Sequence, residues 1–161
     1  MAIMRRIFVL ILRPVYFASV ILLLKLQGMK RKRWGNCSFW GTEDFLKLCD
    51  QSLYELKDLD SRLFNELIGH RKLHFYFSNK PSEQISNAGV YSLNDRFCNW
   101  GTKGVIARLV YAYHTSALMQ NRTFSHDEKP LRDNLRARAK EETRFWLTTH
   151  NFPSKLEECF R

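Results

Sequence analysis

The sequence predicts an all-α fold: an N-terminal single transmembrane helix followed by a small helical bundle. Three observations carry this expectation. Ile7 to Leu24 is an apolar run of 18 residues broken only by Arg13 and Pro14. Several later stretches repeat apolar residues at helical spacing, and strand-type alternation is nearly absent.

The N-terminal run has the approximate length of a bilayer-spanning helix, about 20 residues. Arg5 and Arg6 precede it, and Lys25 and Lys30 to Arg33 follow, with Trp34 and Trp40 beyond. Basic and Trp side chains favour a membrane boundary because each joins a polar tip to an apolar body. Arg13 is costly in a span unless it reaches back to the interface, and Pro14 removes a backbone donor. A signal peptide, an organellar presequence and a start at Met29 are the rival readings of this segment. Three basic residues lie at or before Arg13 and five between Lys25 and Arg33. That count places the bulk of the chain in the cytosol, with an organellar inner membrane as the alternative.

Residues 1–28 are thus expected to be a span with basic flanks, 29–41 a basic juxtamembrane linker, and 42–161 a helical domain. Thr42 is a suitable N-cap, with Glu43 and Asp44 in the first turn. Phe45, Cys49, Leu53, Leu56, Leu63 and Leu67 then recur on one face. With no Gly or Pro between, they predict one long helix, Glu43 to Leu67. His70 to Phe77 fits either a continuation or a short extended stretch. Ser78 to Pro81 reads as a turn, Ser82 as the cap of a short helix to Ser86, and Tyr91 to Trp100 as aromatic-rich helix. Val105 to Met119 and Leu131 to Thr148 are the two further clear helices. Pro130 suits an early helical position, and Ser154 caps a last helix to Phe160.

The net charge is +10, from 26 Lys+Arg against 16 Asp+Glu. Residues 1–42 hold eight of the basic residues and no acidic one, which leaves 18 against 16 for the remainder. The basic character therefore belongs to the N-terminal quarter, and the usual inference from a high pI to nucleic acid loses force for the rest of the chain. The scattered Cys37, Cys49, Cys98 and Cys159 contain no C-x-x-C and fit reduced thiols.

Four constellations could carry chemistry. Glu66, His70 and His74 are spaced i, i+4, which on a continuous helix would put a carboxylate and two imidazoles on one face as part of a metal site. No second ligand cluster is evident in sequence, and no cofactor is expected. Lys30, Arg31, Lys32 and Arg33 form a cationic tetrad, and Arg132, Arg136, Lys140 and Arg144 a helical stripe. Both suit anionic lipid or phosphate. Arg108 and His114 form an Arg-x5-His pattern that resembles the loose signature of the higher-eukaryote-and-prokaryote nucleotide-binding ribonucleases. That resemblance would imply a metal-independent ribonuclease in which the pair activates a 2′-hydroxyl and stabilises phosphate. Leu109 stands where that family commonly has a polar residue.

The leading functional expectation is a membrane-anchored helical accessory or protein-interaction module without an evident catalytic site. Its partners would be membrane lipids and an unidentified protein. The alternatives are a basic nucleic-acid-binding protein, soluble or organellar, and the small ribonuclease.

Overall fold

The computed structural model describes residues 18–19, 21–70, 72–78, 89–119, 124 and 126–160. Four short strands cross one side of the molecule: β1 (Lys30–Trp34), β2 (Cys37–Gly41), β3 (Leu73–Ser78) and β4 (Val90–Asn94). They lie in that order in a single sheet. β1 is antiparallel to β2, whereas β2–β3 and β3–β4 are parallel pairs. The sheet overturns the all-α expectation, and the fold is mixed α/β. These strands contain one β-branched residue, Val90, but are rich in Phe, Tyr and Trp, which also suit a pleated, half-buried surface.

The N-terminal expectation is corrected as well. Among the described residues no helix is long and apolar enough to cross a membrane. Most of the apolar run, residues 1–17 with Arg13 and Pro14, lies outside the described residues. Residues 21–26 are helical. Leu24 is buried, while Leu22, Leu23 and Leu26 are exposed. After a left-handed Gly28 (φ 71°) the chain enters β1 directly. Lys30 to Arg33, expected to be a juxtamembrane collar, form a strand of the sheet. Membrane-spanning, single-pass and all-α are therefore the wrong terms for the architecture described.

The β1–β2 turn explains why this strand pair exists. Gly35 adopts φ 53°, and a Cβ there would run into the Ile68 carbonyl oxygen. The Asn36 amide N–H donates to Ile68 O (2.7 Å), Asn36 Nδ2 to Gly69 O (2.6 Å) and the Cys37 thiol to Leu67 O (3.3 Å). These three donors satisfy carbonyls at the end of a helix, which otherwise lack intrahelical partners.

Between β2 and β3 the chain forms α1 (Glu43–Leu59) and α2 (Ser61–His70). Thr42 Oγ1 caps α1 by accepting from Phe45 N (3.3 Å), as its position suggested. The single helix expected from Glu43 to Leu67 is split at Asp60. The Asp60 backbone (φ −150°) leaves the helical region, and its Oδ1 accepts from Leu63 N (2.9 Å) at the start of α2. Its other oxygen accepts from Trp146 Nε1 (2.9 Å). Against the desolvation that burial imposes, these bonds hold the Asp60 carboxyl below its ordinary range.

After β4 come the short α3 (Asp95–Cys98), then α4 (Gly101–Met119) and α5 (Lys129–Thr149), with a 3-10 turn at Ser154–Phe160. Tyr91 to Trp100, expected as helix, is therefore strand followed by one helical turn. The expected helix at Ser82 to Ser86 lies outside the described residues. From Gly104 to Ala112 every residue of α4 is buried, the pattern of a helix enclosed on all sides. α4 packs against α1 and β4 on one side and against α5 on the other. Phe39, Phe75 and Tyr91 stack across neighbouring strands, with centroids 5.1 and 5.7 Å apart, and form the sheet's contribution to this core.

Candidate functional site

Successive strand residues point to opposite faces, and β1 uses that alternation to sort its cations. Lys30 and Lys32 face α1. Lys30 Nζ pairs with Glu43 (2.9 Å) and Lys32 with Asp50. Asp50 also accepts from Trp34 Nε1 (2.8 Å), so the inward row ends in a neutralised, hydrogen-bonded cluster. The Lys30 pair lowers the Glu43 carboxyl.

Arg31 and Arg33 occupy the opposite face. The register places Arg33, Ser38, His74 and Val90 in one cross-strand row, and Arg31, Trp40, Tyr76 and Ser92 in the next. Arg31 donates to Ser38 Oγ (3.0 Å) and lies over the Trp40 ring (5.2 Å). Lys72, just before β3, adds a third exposed cation. Arg31, Arg33 and Lys72 have no carboxylate partner among the described residues. None of the strand residues on this face is acidic.

His74 registers the resulting potential. Burial first, then the charges of Arg31, Arg33 and Lys72, push its pKa down from 6.5 to about 4. The same face holds buried polar groups, Ser38, Ser92 and Asn94. Trp40 Nε1 and Asn94 Oδ1 have no hydrogen-bond partner among the described residues. The arrangement is a cationic margin bordering a polar sheet face. It can hold anions by charge and by the forked donors of two guanidiniums.

The other candidates fall into different settings. On α5, Arg132 contacts Asp133 (3.5 Å), and Arg132, Arg136, Lys140 and Arg144 are all partly buried. The Nε atoms of Arg136 and Arg144 are shielded from solvent. This stripe is embedded along the flank of the bundle, whereas Arg31 and Arg33 project from an edge strand.

Arg108 and His114 lie on one helix but serve separate surroundings. Arg108 is 2 % exposed. Its guanidinium sits 5.2–5.6 Å from the rings of Phe97, Tyr111 and Tyr91, and Nε donates to Ser92 O (3.0 Å). That bond covers an outward carbonyl of β4, the far edge strand. Desolvation lowers the Arg108 pKa. His114 instead faces α5, where Nδ1 lies 3.1 Å from Glu142 Oε2, and Arg138 donates to the other carboxylate oxygen (3.0 Å). Desolvation lowers the His114 pKa, and Glu142 opposes that shift.

Glu66, His70 and His74 do not share a helix face, because α2 ends at His70 and His74 lies on β3. Glu66 accepts from the Tyr113 hydroxyl and from Arg62 Nε (3.3 Å). Among the described residues no group of three His, Cys, Asp or Glu could hold a metal ion.

Lys72 and the role of His74 beside it escaped the sequence reading. The available signal was the Gly35-Asn36 dipeptide, a hairpin turn pair between Trp34 and Cys37. Read as a hairpin, it converts the tetrad from a charge run into two alternating pairs.

No protein-family model, curated protein or solved structure matches the chain.

Proposed function

We propose that this chain is a binding module that engages the phosphates of a nucleic acid through the Arg31, Arg33 and Lys72 face. The supporting observation is the partition of β1. Lysines occupy the positions answered by Glu43 and Asp50, and arginines occupy the positions with no acidic counterpart among the described residues. Arginine presents paired donors that match a phosphate's oxygens, whereas lysine acts as a point charge. On the Arg31 and Arg33 face Trp40 is buried, and the exposed Tyr54 lies against Trp34 on the opposite face of the strand, so no stacking platform for bases accompanies these cations. The contacts are therefore to the backbone, and binding is independent of base sequence.

Equilibrium titration of a labelled single-stranded oligonucleotide with the full chain tests this reading. Three phosphate contacts predict a slope of about −2 for log affinity against log salt, at roughly −0.7 per contact on a single strand. Arg31→Gln with Arg33→Gln should reduce the slope by about 1.4. Absence of binding at low salt would contradict the proposal.

A further inference from the structure

We propose that the open edge of β1 accepts an extended acidic segment of a partner protein as an added strand of the sheet. The inference goes beyond the nucleic-acid reading and does not depend on it. β1 is the first strand in the sheet order, and among the described residues only its β2 side is paired. Lys30 to Arg33 are exposed. Trp34 and Cys37 flank the Gly35-Asn36 turn, and the pair that closes a two-residue hairpin is hydrogen-bonded. Hydrogen-bonded and non-hydrogen-bonded pairs alternate along an antiparallel ladder. Lys30, Lys32 and Trp34 therefore direct their backbone N–H and C=O groups to β2, and Arg31 and Arg33 turn theirs outward. Those outward groups bond nothing among the described residues. The far edge is closed instead: every residue of β4 is buried, and Arg108 Nε donates to the Ser92 carbonyl.

Charge selects the occupant. An open edge is a template for another strand, but a second copy of β1 would set cation against cation, and like charges directly opposite one another destabilise a sheet. An incoming antiparallel strand that bonds Arg31 and Arg33 places its own residues about 5.5 Å from them, Cα to Cα, with side chains on the same face. Acidic residues at those two positions, separated by one, meet guanidiniums that no carboxylate answers among the described residues, and paired donors can hold each of them. The residue between them falls opposite Lys32, which already pairs with Asp50. The edge thus suits an acid-x-acid segment in extended conformation, held by main-chain bonds and selected by alternate side chains.

The experiment titrates the full chain, without nucleic acid, with a short capped peptide of alternating glutamate and threonine. The peptide should bind saturably at low salt, and Arg31→Gln with Arg33→Gln should weaken it about tenfold. Methylating the glutamate backbone nitrogens keeps the charge and removes the donors that face β1, so that peptide should also bind about tenfold more weakly. As a check that needs no variant, hydrogen exchange of the wild-type chain followed by NMR should show the Arg31 and Arg33 amides protected only when the peptide is bound, and the Lys32 amide protected in both states. Equal binding of the methylated peptide, unprotected Arg31 and Arg33 amides in the complex, or no binding at low salt would each overturn strand addition. Protection of those two amides in the chain alone would show that the edge is already filled, by a second copy or by the chain itself, and would also overturn it. Oligonucleotide binding is measured separately, so either reading can fail without the other.

Discussion

The two faces of β1 carry the same number of cations and treat them in opposite ways. Lys30 and Lys32 meet carboxylates on α1, one of them also held by Trp34 Nε1. Arg31 and Arg33 meet Ser38, Trp40 and a histidine whose proton they help to repel. One face is an internal closure between sheet and helix, and the other holds cations that no carboxylate answers among the described residues. A four-residue charge run is therefore two structural units, and net charge alone does not distinguish them. The same division extends across the sheet. On the α1 and α4 side, Phe39, Phe75 and Tyr91 stack. On the other side, Ser38, Ser92 and Asn94 are buried polar groups.

The largest expected effect lies on the packed side. Phe75 is fully buried between Phe39 and Tyr91. Phe75→Ala should cost about 3–5 kcal/mol in urea unfolding, whereas Arg33→Ala should change stability by less than about 0.5 kcal/mol. Comparable losses would erase the distinction between the two faces.

A smaller effect concerns acid. His74 is depressed from 6.5 to about 4 in the folded chain, so the fold favours the neutral ring. As the pH falls from 6.5 towards 4, the unfolded chain takes up a proton that the folded chain does not, and stability declines across that window. Discounted for the ring's partial exposure, the loss is on the order of 1–2 kcal/mol. His74→Gln should lose less stability than wild type between pH 7 and pH 4.5. Equal losses would show that neither burial nor the neighbouring cations hold this ring neutral.

Smaller still is the effect of Asp50→Asn, which removes the negative partner of Lys32 and weakens the bond to Trp34 Nε1. It should cost about 1 kcal/mol and leave the salt slope of oligonucleotide binding within about 0.3 of wild type, because Lys32 lies on the other face. A steeper slope would show that Lys32, once released, joins the anion-binding face.

The helices were far more legible in the sequence than the sheet. Val105–Met119 and Leu131–Thr148 match α4 and α5 to within a few residues, because periodic burial and end signals act locally. The break at Asp60 was hidden by a continuous apolar stripe. It depends on an Asp whose side chain both caps α2 and meets Trp146, 86 positions away. The strands were hidden for a similar reason. Leu73–Ser78 pairs with Cys37–Trp40 across more than 30 residues, and KRKRW looks like solvated charge until its hairpin partner is placed. The tetrad was visible as a cationic feature, but its division was not. That division arises from pairing register and from Glu43, the first residue of α1, and Asp50, about two turns further along it.

The direct measurement is the salt dependence of oligonucleotide affinity for two paired variants of the full chain, matched in charge removed. Arg31→Gln/Arg33→Gln should flatten the slope by about 1.4, and Lys30→Gln/Lys32→Gln should leave it within about 0.3 of wild type. Equal flattening by both pairs would contradict the account, because the strand would then act as one undivided cationic run.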